Sequence, residues 1–205
     1  MIEKSDNIET MRAHIAEIGA LMYNRKLTDT AGGNLSLRIG NIILMTPRMA
    51  GSSFRWQLSP EQVLVVDLDG KKLDGVGEPS REGQVHIKLL NTYYPQAQAV
   101  VHGHALNALV FCAYAKPLPS MLASTDKFGE LKLIRDIPAH SSELAEEICQ
   151  AFQGQEARVQ KQAAAVLAIR HGVFILAKDL DAGYDTLERI DGNAYCMLMG
   201  KSMGW

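Results

Sequence analysis

The sequence predicts an α/β fold in which helices flank a mixed or mainly antiparallel sheet. Three observations carry that expectation. Ile8, Met11, Ile15, Ile18 and Met22 recur at steps of three and four, the spacing of an amphipathic helix. β-Rich runs at 34–39 and 41–46 meet at Gly40-Asn41, the chemistry of a tight hairpin turn. Helical and strand-like segments then alternate irregularly, without the strand–helix rhythm of a doubly wound parallel sheet.

Taken in order, Asp6 followed by Glu9 resembles a capping pattern for the opening helix. After the hairpin, "VLVVDLDGKKL" predicts a strand running into a turn at Asp69-Gly70. Pro79-Ser80 predicts the start of a helix from about 80 to 93 with Ser80 as its cap. Ala99-Val100-Val101 is a short buried strand that leads through two histidines into a helical stretch near 105–115. The proline-bearing segment "KPLPSMLASTDKFGELKLIRDIPAHSS" predicts loops and short strands, followed by a helix near 141–153. "AAVLAIRHGVFILAKD" predicts two strands meeting at His171-Gly172, and the last segment, about 180 to 200, is helical by periodicity. No repeat, low-complexity tract or linker interrupts the chain, so residues 1–205 are expected to form one domain.

Composition narrows the function classes. Hydrophobic residues make up 47% of the chain and charged residues 21%, the balance of an ordinary globular protein. A formal net charge of −2 leaves no basic footprint for nucleic acid. No apolar run approaches the roughly 20 residues that span a bilayer, so no membrane partner is expected. The polar N-terminus "MIEKSDNIETMR" lacks the apolar core of a signal peptide. Cys112, Cys149 and Cys196 are odd in number and widely spaced, as suits reduced thiols in the cytoplasm.

The chemistry concentrates in four motifs. In "AVVHGHALNA", His102 and His104 stand two apart, so on a strand both imidazoles aim at one spot, where they can share a metal ion. In "GGNLSLR", Gly32 and Gly33 free backbone N–H groups that can cradle a phosphate, with Asn34 and Ser36 adding donors. "EPSREGQVH" places Ser80 and Glu82 at an expected helix N-terminus suited to an anion, and His86 one turn later, where a structural role is the default. "IRHGVFILAKD" supplies His171 between apolar strands. His14 and His140 are read as surface or loop residues without a role.

The order Gly-Gly-Asn-x-Ser-x-Arg, Pro-Ser-x-Glu-x-x-x-His, His-x-His and Arg-His-Gly closely resembles the class II aldolase/adducin family, over nearly the whole chain. The resemblance implies an αβα arrangement around a mainly antiparallel sheet. It implies His102, His104 and His171 as ligands of one Zn²⁺ per chain, and Glu82 as the catalytic carboxylate. Gly33, Asn34 and Ser80 become substrate and phosphate positions, and the chain a homo-oligomer, commonly a tetramer. Arg48 and Met49 stand where the family's aldolases carry Thr-Gly, and Arg81 where a second phosphate-binding serine is expected. Arginine binds phosphate bidentately, so Arg48 and Arg81 are assigned to the substrate anion.

The activity implied is cleavage of a small phosphorylated sugar, a ketose 1-phosphate of the fuculose-1-phosphate kind, to dihydroxyacetone phosphate and an aldehyde. The reaction would pass through a metal-stabilised enediolate. Methylthioribulose-1-phosphate dehydration, sugar-phosphate 4-epimerisation and decarboxylation are the alternatives within the family, and a non-catalytic adducin-like binding module is the alternative outside enzymology. The resemblance also implies a proton-donating tyrosine, which neither "LMGKSMGW" nor Tyr114 supplies on sequence grounds.

Overall fold

The computed structural model describes the backbone of residues 2–204 and the side chains of residues 7–204. Eight strands form one sheet in the order β4-β3-β2-β1-β5-β8-β7-β6. They are β1 (Asn34–Ile39), β2 (Ile42–Met45), β3 (Leu64–Asp67), β4 (Lys72–Asp74), β5 (Ala99–Gly103), β6 (Lys132–Ile134), β7 (Ala163–Ala168) and β8 (Gly172–Ala177). Every neighbouring pair is antiparallel except β6 with β7. The expected hairpins at Gly40-Asn41 and His171-Gly172 are both present.

Among the described residues seven α-helices accompany the sheet: α1 (Ile2–Asn24), α2 (Ala50–Phe54), α3 (Gly83–Tyr93), α4 (Leu106–Ala113), α5 (Ser142–Ala151), α6 (Glu156–Lys161) and α7 (Leu180–Ser202). Strand alternation sends successive side chains to opposite faces, and the buried residues divide accordingly. Leu35, Leu44, Val101 and Ile175 join one core with Ile15 and Met22 of α1, Phe111 of α4 and Leu187 of α7. Ile43, Val100, Phe174 and Leu176 join a second core with Leu89 of α3, Ile148 of α5 and Val159 of α6. Among the described residues no helix is long and apolar enough to cross a membrane.

Two expectations are corrected. The first helix starts at Ile2, so Asp6 lies within it rather than capping it; the Asp6 side chain is outside the described residues. Helix α3 starts at Gly83, not Ser80, because residues 80–83 close a turn first. In that turn the Gly83 N–H donates to the Ser80 carbonyl (2.9 Å), and the Glu82 N–H faces Ser80 Oγ (3.3 Å). Glu82 therefore takes the N-cap position. The loose proline-bearing region contributes β6, which adds the one parallel edge, and α2 and α6 are short helices without a sequence forecast.

Candidate metal centre and active site

β5 lies between β1 and β8, and its register brings the motifs together. His102 pairs with Asn34 on one side and with Phe174 on the other. The His102 ring stacks on Phe174, with centroids 3.9 Å apart and planes 8° from parallel. Its Nδ1–H donates to the Val173 carbonyl at 2.9 Å, which leaves Nε2 as a lone pair, fully buried and without a partner. His104 follows just beyond the strand end. Its Nδ1–H donates to Asp29 Oδ1 at 3.1 Å, and its Nε2 is likewise buried and unpartnered. A carboxylate or carbonyl fixing one ring nitrogen while the other stays free is the arrangement of a metal-ligating histidine.

Glycine makes room for these rings. A Cβ on Gly32 would stand 2.7 Å from His104 Nε2. Gly33 has φ +91°, and a Cβ there would collide with Thr28 Oγ1 and lie 3.1 Å from the His102 backbone carbonyl oxygen, so it clears backbone rather than a ring. Gly172, beside His171, would place a Cβ 3.1 Å from His102 Cε1. The "GGN" and "HG" motifs thus serve the histidines sterically as well as any phosphate.

His171 sits on the turn between β7 and β8, after Arg170 in the left-handed conformation (φ 57°). Its Nε2 is 2.6 Å from Glu82 Oε1, and His102 Nε2 is 3.4 Å from Glu82 Oε2. Glu82, His102 and His171 each present a ligand atom within 4.8 Å of the others. His104 stands slightly apart, its ring centroid 5.2 Å from that of His102 and 6.4 Å from that of His171. The tight cluster is therefore one carboxylate with two imidazoles, and the third imidazole borders it. Two orphaned buried Nε2 atoms beside a carboxylate fit a divalent cation, for which three histidines with an open position are a common catalytic set.

The electrostatics agree. Burial pushes His102 well below the usual imidazole pKa, so it is neutral, the form that ligates metal. Burial alone would raise Glu82, but the neighbouring His102 and His171 and a hydrogen bond from Asn34 outweigh it and hold the carboxyl ionised. With His102 neutral, we attribute most of that effect to the His171 and Asn34 hydrogen bonds.

Glu82, His104 and His171 line a cavity of about 420 Å³ that also collects Gly33, Asn34, Arg48, Ser80 and Arg81, with His102 fully buried behind it. The expected anion positions other than Ser36 thus meet at one opening. Asn34 Nδ2 donates to Ser80 Oγ and Glu82 Oε2, both at 3.2 Å, so it positions the carboxylate. Arg48 and Arg81 are exposed on the wall, and among the described residues neither guanidinium has an acidic partner. Ser36 does not join them. Its hydroxyl is fully buried against His86 Nδ1 at 2.7 Å, which corrects the expectation that it adds a phosphate donor. His86 itself is buried and held neutral, its pKa pushed down to about 4 by burial, in keeping with a structural role.

Sequence reasoning missed two residues. Asp29 orients His104, and its carboxylate also accepts from the Ala31 and Gly32 N–H groups. An acid shortly before "GG" was the available signal. His140, dismissed as a loop residue, lines the cavity with Nδ1 3.6 Å from Glu82 Oε1. No local pattern marks it. His14, by contrast, lies outside the cavity, paired with Asp181 at 3.0 Å.

The sequence profile of the family described as "Class II Aldolase and Adducin N-terminal domain" matches residues 13–198. The L-fuculose phosphate aldolase of Methanococcus maripaludis is 28% identical over 185 residues, covering 88% of this chain and 94% of its own. The 3-oxo-tetronate 4-phosphate decarboxylase of Haemophilus influenzae is 30% identical over 188 residues, 88% of this chain and 83% of its own. Among solved structures, an L-fuculose 1-phosphate aldolase superposes with a TM-score of 0.79 at 22% identity, over 95% of this chain and 87% of that one. The helix-flanked sheet, the histidine–glutamate cluster at the end of its central strand and the family profile agree: this chain belongs to the class II aldolase/adducin family.

Proposed function

We propose that the chain is a metal-dependent aldehyde-lyase that cleaves a small ketose 1-phosphate to dihydroxyacetone phosphate and an aldehyde. The observation that carries the reading is the buried Glu82 carboxylate clustered with His102 and His171, beside two buried imidazole Nε2 atoms, of His102 and His104, that lack a hydrogen-bond partner. His102, His104 and His171 would hold one Zn²⁺ per chain. When bound, such an ion supplies a Lewis acid for the substrate's carbonyl oxygen.

The other steps belong to the chain. Glu82, ionised and nine-tenths or more buried, accepts the substrate proton. His171 and Asn34 hold its two oxygens in place. Gly33 and the Ser80 hydroxyl, with Arg48 and Arg81 on the wall, take the phosphate, and that remote binding orients the reacting carbons. We assign all 205 residues to one αβα domain acting in the cytoplasm, and the assembly to a homo-oligomer, a tetramer. A second reading, decarboxylation of an oxidised sugar phosphate in the same cavity, is supported by the 30% identity to the Haemophilus decarboxylase.

Hydrogen exchange tests the reading. An aldolase must remove an α-proton from dihydroxyacetone phosphate even without an aldehyde, so the wild type exchanges one hydrogen with deuterated water, read by NMR. Glu82→Gln lowers that rate by roughly two to four orders of magnitude, the scale of general-base catalysis, with metal content measured in the same variant. Absence of exchange in metal-loaded wild type that dehydrates methylthioribulose 1-phosphate or decarboxylates an oxo-acid phosphate would transfer the assignment to that reaction. Absence of all turnover would favour a binding module.

A further inference from the structure

Seven non-glycine residues have positive φ, and three of them, Met49, His140 and Arg170, line the cavity. Left-handed backbone is costly for an L-residue and collects at functional sites, where the surrounding structure imposes it. His140 (φ 64°) is the one whose side chain reaches the chemistry.

The fold needs a left-handed residue at this position. Ser141 is the N-cap of α5, its Oγ accepting from the Leu144 N–H at 3.1 Å. The His140 carbonyl is tied to α3 by Gln84 Nε2 at 2.6 Å. The first tie uses only Ser141 and Leu144, and the second only the backbone carbonyl of residue 140, which glycine would supply without strain. The imidazole adds nothing to them. Among the described residues its ring makes no hydrogen bond, and it stands 3.6 Å from the Glu82 carboxylate. It is about a third exposed, toward the cavity. A strained backbone thus carries a ring that the fold does not use.

We propose that His140 contacts the substrate, its ring nitrogen hydrogen-bonding a hydroxyl of the bound sugar phosphate beside Glu82 and so fixing which face of the sugar meets that carboxylate. An imidazole offers ring nitrogens that can hydrogen-bond a sugar hydroxyl, and this one faces the cavity. The inference rests on the sugar-phosphate reading of the cavity, and its test separates the two.

Metal-loaded wild type, His140→Gly and His140→Asn are compared for thermal stability, for dihydroxyacetone phosphate affinity by calorimetry and for hydrogen exchange into that compound. His140→Gly relieves the strain, so Tm rises by about 2–4 °C, the shift that about 1 kcal/mol gives a chain of this size. Its exchange rate or affinity falls about tenfold or more, the scale of one substrate hydrogen bond. Asparagine tolerates left-handed backbone and keeps a donor and an acceptor, so His140→Asn recovers part of the loss. A stabilised His140→Gly with wild-type exchange and affinity overturns the inference and leaves the aldolase reading standing. A destabilised one assigns the ring to the fold and overturns it as well. Wild type that neither binds nor exchanges dihydroxyacetone phosphate overturns both.

Discussion

Replacing Asp29 by alanine tests whether the cluster is held ready for a cation from outside. Asp29 Oδ1 accepts from His104 Nδ1 at 3.1 Å and from the Ala31 and Gly32 N–H groups at 2.8 and 3.1 Å. The backbone carbonyl of Asp29 holds Trp56 Nε1 at 3.0 Å and survives the substitution. The variant thus frees one imidazole and two partly exposed N–H groups without opening the core. Losing the carboxylate behind a ligating histidine typically weakens metal binding about 10- to 100-fold, or about 1.4–2.7 kcal/mol. The orphaned N–H groups cost about 1 kcal/mol of folding stability, a Tm loss of about 2–4 °C. Asp29→Asn keeps an acceptor for the loop but not the charge, so Tm stays near wild type and affinity falls by less. Competition against a chromophoric zinc chelator, with melting curves alongside, reads both quantities. Zinc affinity of Asp29→Ala within twofold of wild type, despite the lower Tm, would refute the role given to His104.

Three further outcomes are expected. Arg81→Ala raises KM for a phosphorylated substrate far more than for its unphosphorylated analogue, measured by steady-state kinetics; equal effects would take Arg81 off the phosphate. Phe174→Ala, which removes a fully buried ring stacked on His102, lowers unfolding stability in urea by about 3–5 kcal/mol and zinc affinity with it. His86 is held neutral, its pKa pushed down from the usual 6.5 to about 4 by burial, so the unfolded chain binds the extra proton first. Its stabilising contribution is complete above pH 6.5 and is lost as pH falls toward 4, by up to about 3 kcal/mol. Urea titrations of His86→Gln across that window should show a flatter dependence than wild type, and an unchanged slope would assign the pH response elsewhere.

The parts of the fold that were legible are those written in local chemistry. Period-3.6 apolar spacing marked α1 and α7, and the Gly40-Asn41 and His171-Gly172 turns marked the hairpins β1–β2 and β7–β8. The start of α3 was misplaced because Ser80 has the chemistry of an N-cap, yet it closes a turn that hands the cap position to Glu82. β6 is only three residues, and what makes it a strand is its parallel pairing with β7, a tertiary fact. Within the site, the histidine spacing pointed to His102 and His104, and family order to His171 and Glu82. Asp29 carried only the weak signal of an acid before Gly32-Gly33, because its role arises when that loop meets the end of β5, and His140 carried none, because its role arises when α3 and α5 converge. Ser36 was misassigned for a related reason: alternation places it on the face of Asn34, but one step deeper, where His86 of α3 takes its hydroxyl.

The central claim is that Glu82 and the histidines form one cation site, and metal content tests it most directly. Protein dialysed against zinc and then against buffer should carry about one ion per chain by elemental analysis, as a catalytic histidine site implies. His102→Ala should lose it, because His102 Nε2 is one of the two orphaned nitrogens that face the cluster. Full occupancy in a folded variant lacking both His102 and His104 would contradict the account.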